Sequence, residues 1–420
     1  MSVHAHRQDF AATTTSTRWF QLGLALIAMM AISSPQYVWT LFTKPFAGVT
    51  GAPLSALQVT FTLLIVFQTF LSPAQGWLID RFGAKVLISL GTALSGLGWV
   101  LAAYASSLTT LYLTYGVLCG IGTGIVYVGI IGLMVRWFPD RRGFATGLVA
   151  AGYGMGAMLT SFPITSMLES SGHQRTLVTF GIILGIVGFL AALGLRPPRA
   201  GEAPPAASPT LSVTGRNWIP TEMLKTPLFW LMFVMMTMMS TGGLMVVSNF
   251  ASFARDFGVA DAIVLGMVAL PLALTFDRLT NGFTRPFFGW VSDNIGRENT
   301  MGIAFILEGA AIGLLIYFRQ DPVAFVLLSG LVFFGWGEIF SLFPSTLTDS
   351  FGAQHATTNY GFLYIAQGIG SILGGPVAAL LREQTGSWLP VFSIVIALDV
   401  LTGLLALAVL KPMRVRHAAE

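Results

Sequence analysis

Twelve apolar runs, each long enough to cross a bilayer, set the kind of fold open to this chain. They cover approximately 19–42, 54–79, 86–104, 108–136, 143–168, 176–195, 227–255, 262–290, 300–318, 322–349, 357–382 and 387–410. A stretch of about 20 apolar residues spans the hydrocarbon layer as a helix. Hydrocarbon offers no partner to an unpaired backbone N–H or C=O, so only helices and closed barrels cross it. Barrel strands would show short apolar/polar alternation, which is absent here. The expected fold is therefore an all-α integral membrane protein with twelve transmembrane helices. Composition agrees: of 420 residues 54% are hydrophobic and only 10% charged, with mean hydropathy +0.75. A soluble domain carries about 25% charged residues.

The same sequence excludes several function classes. The net charge of +4 comes from basic residues in short connections, which gives no footprint for nucleic acid. The single cysteine, Cys119, leaves no intramolecular disulfide and no cysteine metal cluster. His4, His6, His173, His355 and His417 all fall in termini or connections, which argues against a histidine proton relay inside the membrane. No H-E-x-x-H, G-x-S-x-G or G-x-x-x-x-G-K-[ST] string occurs, so neither an enzyme nor an ATP-driven pump is expected, and no cofactor or metal.

Orientation follows from lysine and arginine. Fifteen of them, from Arg7 to Arg416, lie in the tails and even-numbered connections, against Lys44, Arg175, Arg255, Arg319 and Arg382 on the opposite side. That asymmetry places both termini in the cytoplasm. Residues 1–18 read as a cytoplasmic tail before an uncleaved first span, and 411–420 as a second tail. The connection 196–226, rich in proline and alanine, reads as a flexible cytoplasmic linker between two six-helix halves, 19–195 and 227–410.

One apolar run is unlike the rest. Span eight carries Asp277, Arg278, Asn281 and Arg285. Charge is costly inside a bilayer and usually marks a pathway or a binding site. Arg278 and Arg285 are two turns apart, so they share one face about 10 Å apart with Asn281 between them. Two cations on one stripe point to an anion. The competing reading is that Arg285 snorkels to the nearby cytoplasmic end and Arg278 is neutralised by a local acid. At about 1.5 Å per residue, Arg285, Tyr127, Tyr153, Gln367, Glu338 and Trp336 all fall about 12–20 Å from the cytoplasmic ends of their spans. A guanidinium suits a carboxylate because it donates two parallel hydrogen bonds.

An internal repeat supports two halves. Gly76-Trp77-Leu78-Ile79-Asp80-Arg81-Phe82-Gly83 follows span two and Gly289-Trp290-Val291-Ser292-Asp293-Asn294-Ile295-Gly296 follows span eight. Both read G-W-x-x-D-x-x-G. Twelve spans in two halves, a long central loop and G-x-x-x-D-R-x-G after span two resemble the major facilitator superfamily. That resemblance covers residues 18–412 and implies two pseudo-symmetric six-helix halves working by alternating access. Thr17-Arg18-Trp19-Phe20, Gln36-Tyr37-Val38-Trp39-Thr40-Leu41, Arg136-Trp137-Phe138-Pro139-Asp140-Arg141-Arg142-Gly143, Ala150-Ala151-Gly152-Tyr153-Gly154 and Arg285-Pro286 are similar to the oxalate/formate antiporter family. Trp336-Gly337, Leu342-Phe343-Pro344-Ser345 and Asn359-Tyr360-Gly361 extend the similarity.

The resemblance implies a secondary transporter of small carboxylates, exchanging anions of the oxalate/formate type, in a bacterial inner membrane. The implied partners are the carboxylate (oxalate, formate or another monocarboxylate) and the lipid bilayer, with no nucleic acid, the chain acting as a monomer. A sensor of external carboxylate is a remote alternative, for which tails of this length leave little room. In the resembled family the arginine matching Arg285 binds the substrate carboxylate inside a box of aromatics. Tyr37, Tyr127, Tyr153 and Trp336 match box positions, Phe340 and Tyr364 stand where other aromatics are usual, and Gln36 adjoins Tyr37. For any one aromatic, helix packing is the competing role. Gln367 stands where oxalate-handling members carry lysine, which makes a monocarboxylate a better fit. Related monocarboxylate transporters carry an aspartate four residues before the matching arginine. Asn281 stands there, leaving Asp277 and Glu338 as candidate proton or charge-balancing groups for a proton-coupled symporter. Glu308 and Asp399, in spans nine and twelve, read as neutral acids bonded to neighbouring helices, as partners for Arg278, or as transport groups. Asp80, Arg81, Asp293 and Arg141 are candidates for a cytoplasmic gate, against ordinary surface pairs of little worth.

Overall fold

The computed structural model describes residues 2–205 and 213–419, with side chains from Ser16 onward. The chain divides into two compact units, the first made of residues 1–207 and 353–364 and the second of 208–352 and 365–420. Among the described residues, eight helices are long and apolar enough to cross a membrane, or ten when two bent pairs each count as one span. Two further spans complete the twelve. Arg142–Leu193 is a helical run of 52 residues, about 78 Å at 1.5 Å per residue and far beyond a bilayer. Gly172 (φ 76°, ψ 170°) turns it back on itself to make spans five and six. Ala269–Ile295, which carries the charges at 277, 278 and 285, is span eight.

The bends have local causes. Span two is Leu54–Thr69 followed by Ser72–Phe82, bent by 44°. Pro73 has no N–H to give to Thr69, and its ring disturbs the preceding turn. The Ser72 hydroxyl donates to the Thr69 carbonyl instead and lies 3.2 Å from that of Gln68. Span one bends by 46° between residues 16–37 and 39–50, beside Pro35, where the Ser33 hydroxyl donates to the Met30 carbonyl at 2.9 Å. Such hydroxyls let a helix break without leaving naked carbonyls in lipid.

Small residues bring the helices together. Span four (Leu108–Trp137) turns Gly116, Gly120 and Gly124 toward span two. A Cβ on Gly120 would lie 2.6 Å from the Leu64 carbonyl, and one on Gly124 2.6 Å from that of Gln68. Span eleven (Ala356–Thr385) uses Gly370 and Gly374 in the same way against Ser240, Thr241 and Leu244 of span seven (Pro227–Asp256). Its first turns pack in the first unit, where Gly76 and Gly132 leave room for Thr357. Without a hydrophobic drive between helices in lipid, such close backbone approach is what holds them.

Four stretches differ from the sequence reading. The first helix runs back to Ser2, through the expected tail, because nothing between residues 2 and 18 breaks a helix. Span eight begins at Ala269 and not near 262. Residues Ile263–Val264 and Met267–Val268 pair as a small antiparallel hairpin across Leu265 and Gly266, both at positive φ. The linker is partly docked: Thr214 N–H donates to the Asp349 carbonyl and Trp218 N–H to that of Phe351, both at 2.9 Å. Its first part is clamped by Arg196, whose guanidinium holds both oxygens of Glu202 (2.6 and 2.8 Å) and pushes that carboxyl down to about 2. Residues 206–212 of the expected linker lie outside the described residues. The end of the chain is also a helix, Lys411–Ala419, with Arg414 and His417 buried.

Candidate functional site

Span ten is where the second unit departs most from regular helix. Pro322–Trp336 stops, Gly337 and Glu338 form a turn, and Ile339–Phe351 resumes. Span eight lies directly on this break. The Phe334 carbonyl accepts from the Thr284 hydroxyl and the Phe333 carbonyl from Asn281 Nδ2 at 3.4 Å. A Cβ on Gly337 would sit 2.3 Å from the Thr284 methyl and 2.8 Å from the Asn281 carbonyl. Irregular backbone at membrane depth is tolerated where protein satisfies it, and it is a common setting for binding sites.

One turn further along span eight is Arg285, 3% exposed. Its Nη2 donates to Asn281 Oδ1 at 3.0 Å, and the guanidinium carbon lies 4.6 Å from the centre of the Phe340 ring. Phe340 meets Trp336 edge to face at 5.9 Å. Trp336 is fixed in turn: Nε1 donates to the Met239 carbonyl at 3.2 Å, and its ring fills the space where a side chain on Gly243 would go. A cation over a ring face gains about 0.5–2 kcal/mol depending on burial. The guanidinium is thus oriented by an amide, a ring and a broken helix. Snorkelling to the end of the span does not describe it.

Gln367 is buried on span eleven with Nε2 3.5 Å from Ser371 Oγ. Arg278 shares the stripe with Arg285 but is exposed. Asp277 is buried and faces Ser329 of span ten, so it does not stand as the acid beside Arg278. Glu338 is fully buried at the break and lies within electrostatic range of Arg285. Glu308 and Asp399 group with Glu338 and with each other.

In the first unit the expected tyrosines come together. Tyr153 donates to Gln36 Oε1 at 2.6 Å and meets Tyr37 and Tyr127 edge to face, both at 5.4 Å. Tyr127 stacks on Tyr364 (4.8 Å, 13°), and Gln68 Nε2 donates to the Tyr364 hydroxyl at 3.0 Å. Tyr364 and Gln367 are one turn apart on the same helix. Gln68 and Tyr360, which sits 5.6 Å from Tyr364, were not among the expected site residues. A glutamine buried in an apolar span is the signal that identifies Gln68.

The gate candidates sort differently. Asp80 is held by Arg136, and its Oδ2 accepts from the Thr358 N–H (3.0 Å) and hydroxyl (2.6 Å) at the start of span eleven. Arg136 Nη2 also donates to the Gln354 carbonyl at 3.0 Å. Arg81 turns away onto the Trp77 and Phe82 rings. Arg141 is exposed, 3.8 Å from Asp140, which Arg18 engages with both oxygens at 3.0 Å. In the second unit Asp293 pairs with Arg297 at 2.6 Å, and Arg297 Nε reaches Asp349 at 2.8 Å. Arg414 joins that group, pairing with Glu298 and donating to Ser350 Oγ at 2.8 Å. Glu298, Asp349 and Arg414 were absent from the expected gate set, because nothing in their local strings announces contacts so distant in sequence; Arg297 was absent too, although it follows Asp293 by one helical turn.

Comparison with known proteins supplies the context. The sequence matches the Major Facilitator Superfamily profile over residues 22–277 and 272–420. It is 36% identical over 370 residues to the oxalate:formate antiporter of Oxalobacter formigenes, covering 88% of this chain and 86% of that protein. It is 25% identical to monocarboxylate transporter 13 of Bos taurus, over 83% of this chain and 78% of that one. Among solved structures it is similar to the superfamily transporter FucP in the outward conformation, with a TM-score of 0.67 and 17% identity, covering 92% of this chain and 97% of that one.

Proposed function

Because this chain belongs to the major facilitator superfamily, and within it to the family of the oxalate:formate antiporter, we propose that it is a secondary transporter of small carboxylate anions. It works by alternating access, exchanging anions of the oxalate/formate type. The chain is a multi-pass membrane transporter and not an enzyme. The observation that carries the substrate class is Arg285: a buried guanidinium, steered by Asn281 and Phe340, beside a broken span. A carboxylate there gains two charge-assisted hydrogen bonds in low dielectric. That gain lowers the cost of the closed intermediate for the loaded carrier relative to the empty one, which favours exchange over unloaded return. The tyrosines around Gln36 and Gln68 supply hydroxyl donors and ring edges as the recognition element of the first unit. The lysine and arginine asymmetry supports cytoplasmic termini, the antiporter relative supports a bacterial inner membrane, and the functional unit is the monomer.

A second reading, proton-coupled monocarboxylate symport, has two observations in its favour. Gln367 supplies an amide where a second cation would suit a dianion, and Glu338 lies close enough to Arg285 for a proton to compensate the arriving charge. Counterflow into proteoliposomes preloaded with oxalate, formate, lactate or pyruvate tests both. Arg285→Gln should lower exchange by at least about thirtyfold, the equivalent of the roughly 2 kcal/mol or more that a buried charged contact is worth. Wild-type exchange by that variant would refute the site. Net uptake of a monocarboxylate into empty proteoliposomes that ignores an imposed pH gradient would refute symport.

A further inference from the structure

The packing that orients Arg285 begins at a residue with no side chain. Gly243 is buried in the middle of span seven, and the Trp336 indole of span ten lies against it. A Cβ at 243 would stand 1.8 Å from Trp336 Nε1, 2.0 Å from Cδ1 and 2.4 Å from Cε2, so any side chain there evicts the ring. Met239 stands four residues before Gly243. The indole N–H, 3.2 Å from the Met239 carbonyl, therefore grips the same helical turn that the ring packs on. Losing that acceptor would leave a buried donor unsatisfied, which ties ring and glycine to one arrangement. From there the contacts run inward. Trp336 meets Phe340 edge to face at 5.9 Å, and the guanidinium carbon of Arg285 sits over the Phe340 ring at 4.6 Å. Met239, Trp336, Phe340 and Arg285 are all buried, and close packing passes a displacement at one of them on to the next. Gly242, the preceding residue, is different. A Cβ there would lie 3.3 Å from a Val395 methyl and 3.4 Å from Asp399 Oδ1, which a few tenths of an ångström of movement accommodates.

We propose that Gly243 and Trp336 are positioning residues for carboxylate binding, acting on Arg285 through Phe340; the assignment rests on Arg285 as the carboxylate ligand. A cation is held over a ring by the charge distribution of the ring face, and the hold weakens as the ring slides from beneath it. A guanidinium that meets a carboxylate with two parallel N–H groups needs those donors placed to within about 0.5 Å. A side chain at 243 pushes the indole off its seat, takes the edge contact away from Phe340 and loosens the guanidinium from that placement. Trp336 thus has a different part from the box wall expected of it. Its N–H is committed to Met239 and its ring to Gly243 and Phe340, so it shapes the site from behind.

Calorimetric binding of formate to the purified full-length protein in detergent tests this. Gly243→Ala should bind formate about tenfold more weakly than wild type, while Gly242→Ala binds it as wild type does. Trp336→Leu replaces the indole by a side chain that can turn away from position 243. Gly243→Ala combined with Trp336→Leu should therefore bind no more weakly than Trp336→Leu alone. A span seven that is merely disturbed would instead weaken the double variant by the product of the two single effects. If Gly243→Ala aggregates in size-exclusion chromatography, Trp336→Leu takes its place, alone and together with Phe340→Leu. It should weaken binding by itself and change nothing further once the Phe340 ring is gone. Wild-type affinity in Gly243→Ala, equal losses in the two glycine variants, or independent effects of Trp336 and Phe340 would overturn the positioning role alone. Formate binding equally well to Arg285→Gln, or not binding wild type at all, would overturn the carboxylate site beneath it.

Discussion

At the scale of single residues, the proposed preference for a monoanion over a dianion turns on one side chain. Gln367 contributes dipoles where a cation would contribute charge, and its amide is occupied with Ser371 on the next turn. Gln367→Lys adds a second positive charge one turn from Tyr364, and it should raise the preference for oxalate over formate by about tenfold, the equivalent of about 1.4 kcal/mol. Competition of each anion against labelled formate in counterflow measures that ratio, and an unchanged ratio would remove Gln367 from the site. The identity of Arg285 was legible in the sequence because charge in an apolar run has few uses. Its orientation was not, since Phe340 lies on another helix across a break that no local string announces.

Among elements, the interrupted tenth span is the least forgiving. Gly337 lets the break seat against Thr284 and Asn281, the second of which also steers Arg285. Gly337→Ala must push the two spans apart by several tenths of an ångström, and overpacking of this kind costs about 1–3 kcal/mol. Exchange should fall with the melting temperature, while Gly154→Ala, whose Cβ meets nothing within 4 Å, should change neither. Equal behaviour of the two variants in counterflow and thermal melting would show that the break has no special role. Span count was readable because about 20 consecutive apolar residues have one use in a membrane protein. The hairpin at 263–268 was hidden, because Leu265-Gly266 is a poor turn signal inside an apolar run. The split of span ten was hidden as well, since only neighbouring side chains make up for its lost helical bonds.

For the molecule as a whole, the long-range charge groups decide what each unit tolerates. The repeat of G-W-x-x-D-x-x-G announced two equivalent aspartates, yet their partners differ: Asp80 meets Arg136 and Thr358, and Asp293 meets Arg297. The separations from Asp80 to Arg136 and Thr358 carry no local signature, which is why the repeat was legible and that wiring was not; Arg297, four residues after Asp293, lay within reach of a local reading. Arg414→Ala should leave Glu298 and part of Asp349 buried without their cation. Breaking one side of such a pair costs about 3–5 kcal/mol, so the variant should melt well below wild type, with Arg414→Lys recovering part of the loss. A melting temperature equal to wild type would mean that the final helix is dispensable. The clamp of Glu298 by Arg414 spans 116 residues and ties the helix Lys411–Ala419 to the start of span nine. Peeling that helix away therefore strips a buried acid of its counter-ion, so the two segments come undone together.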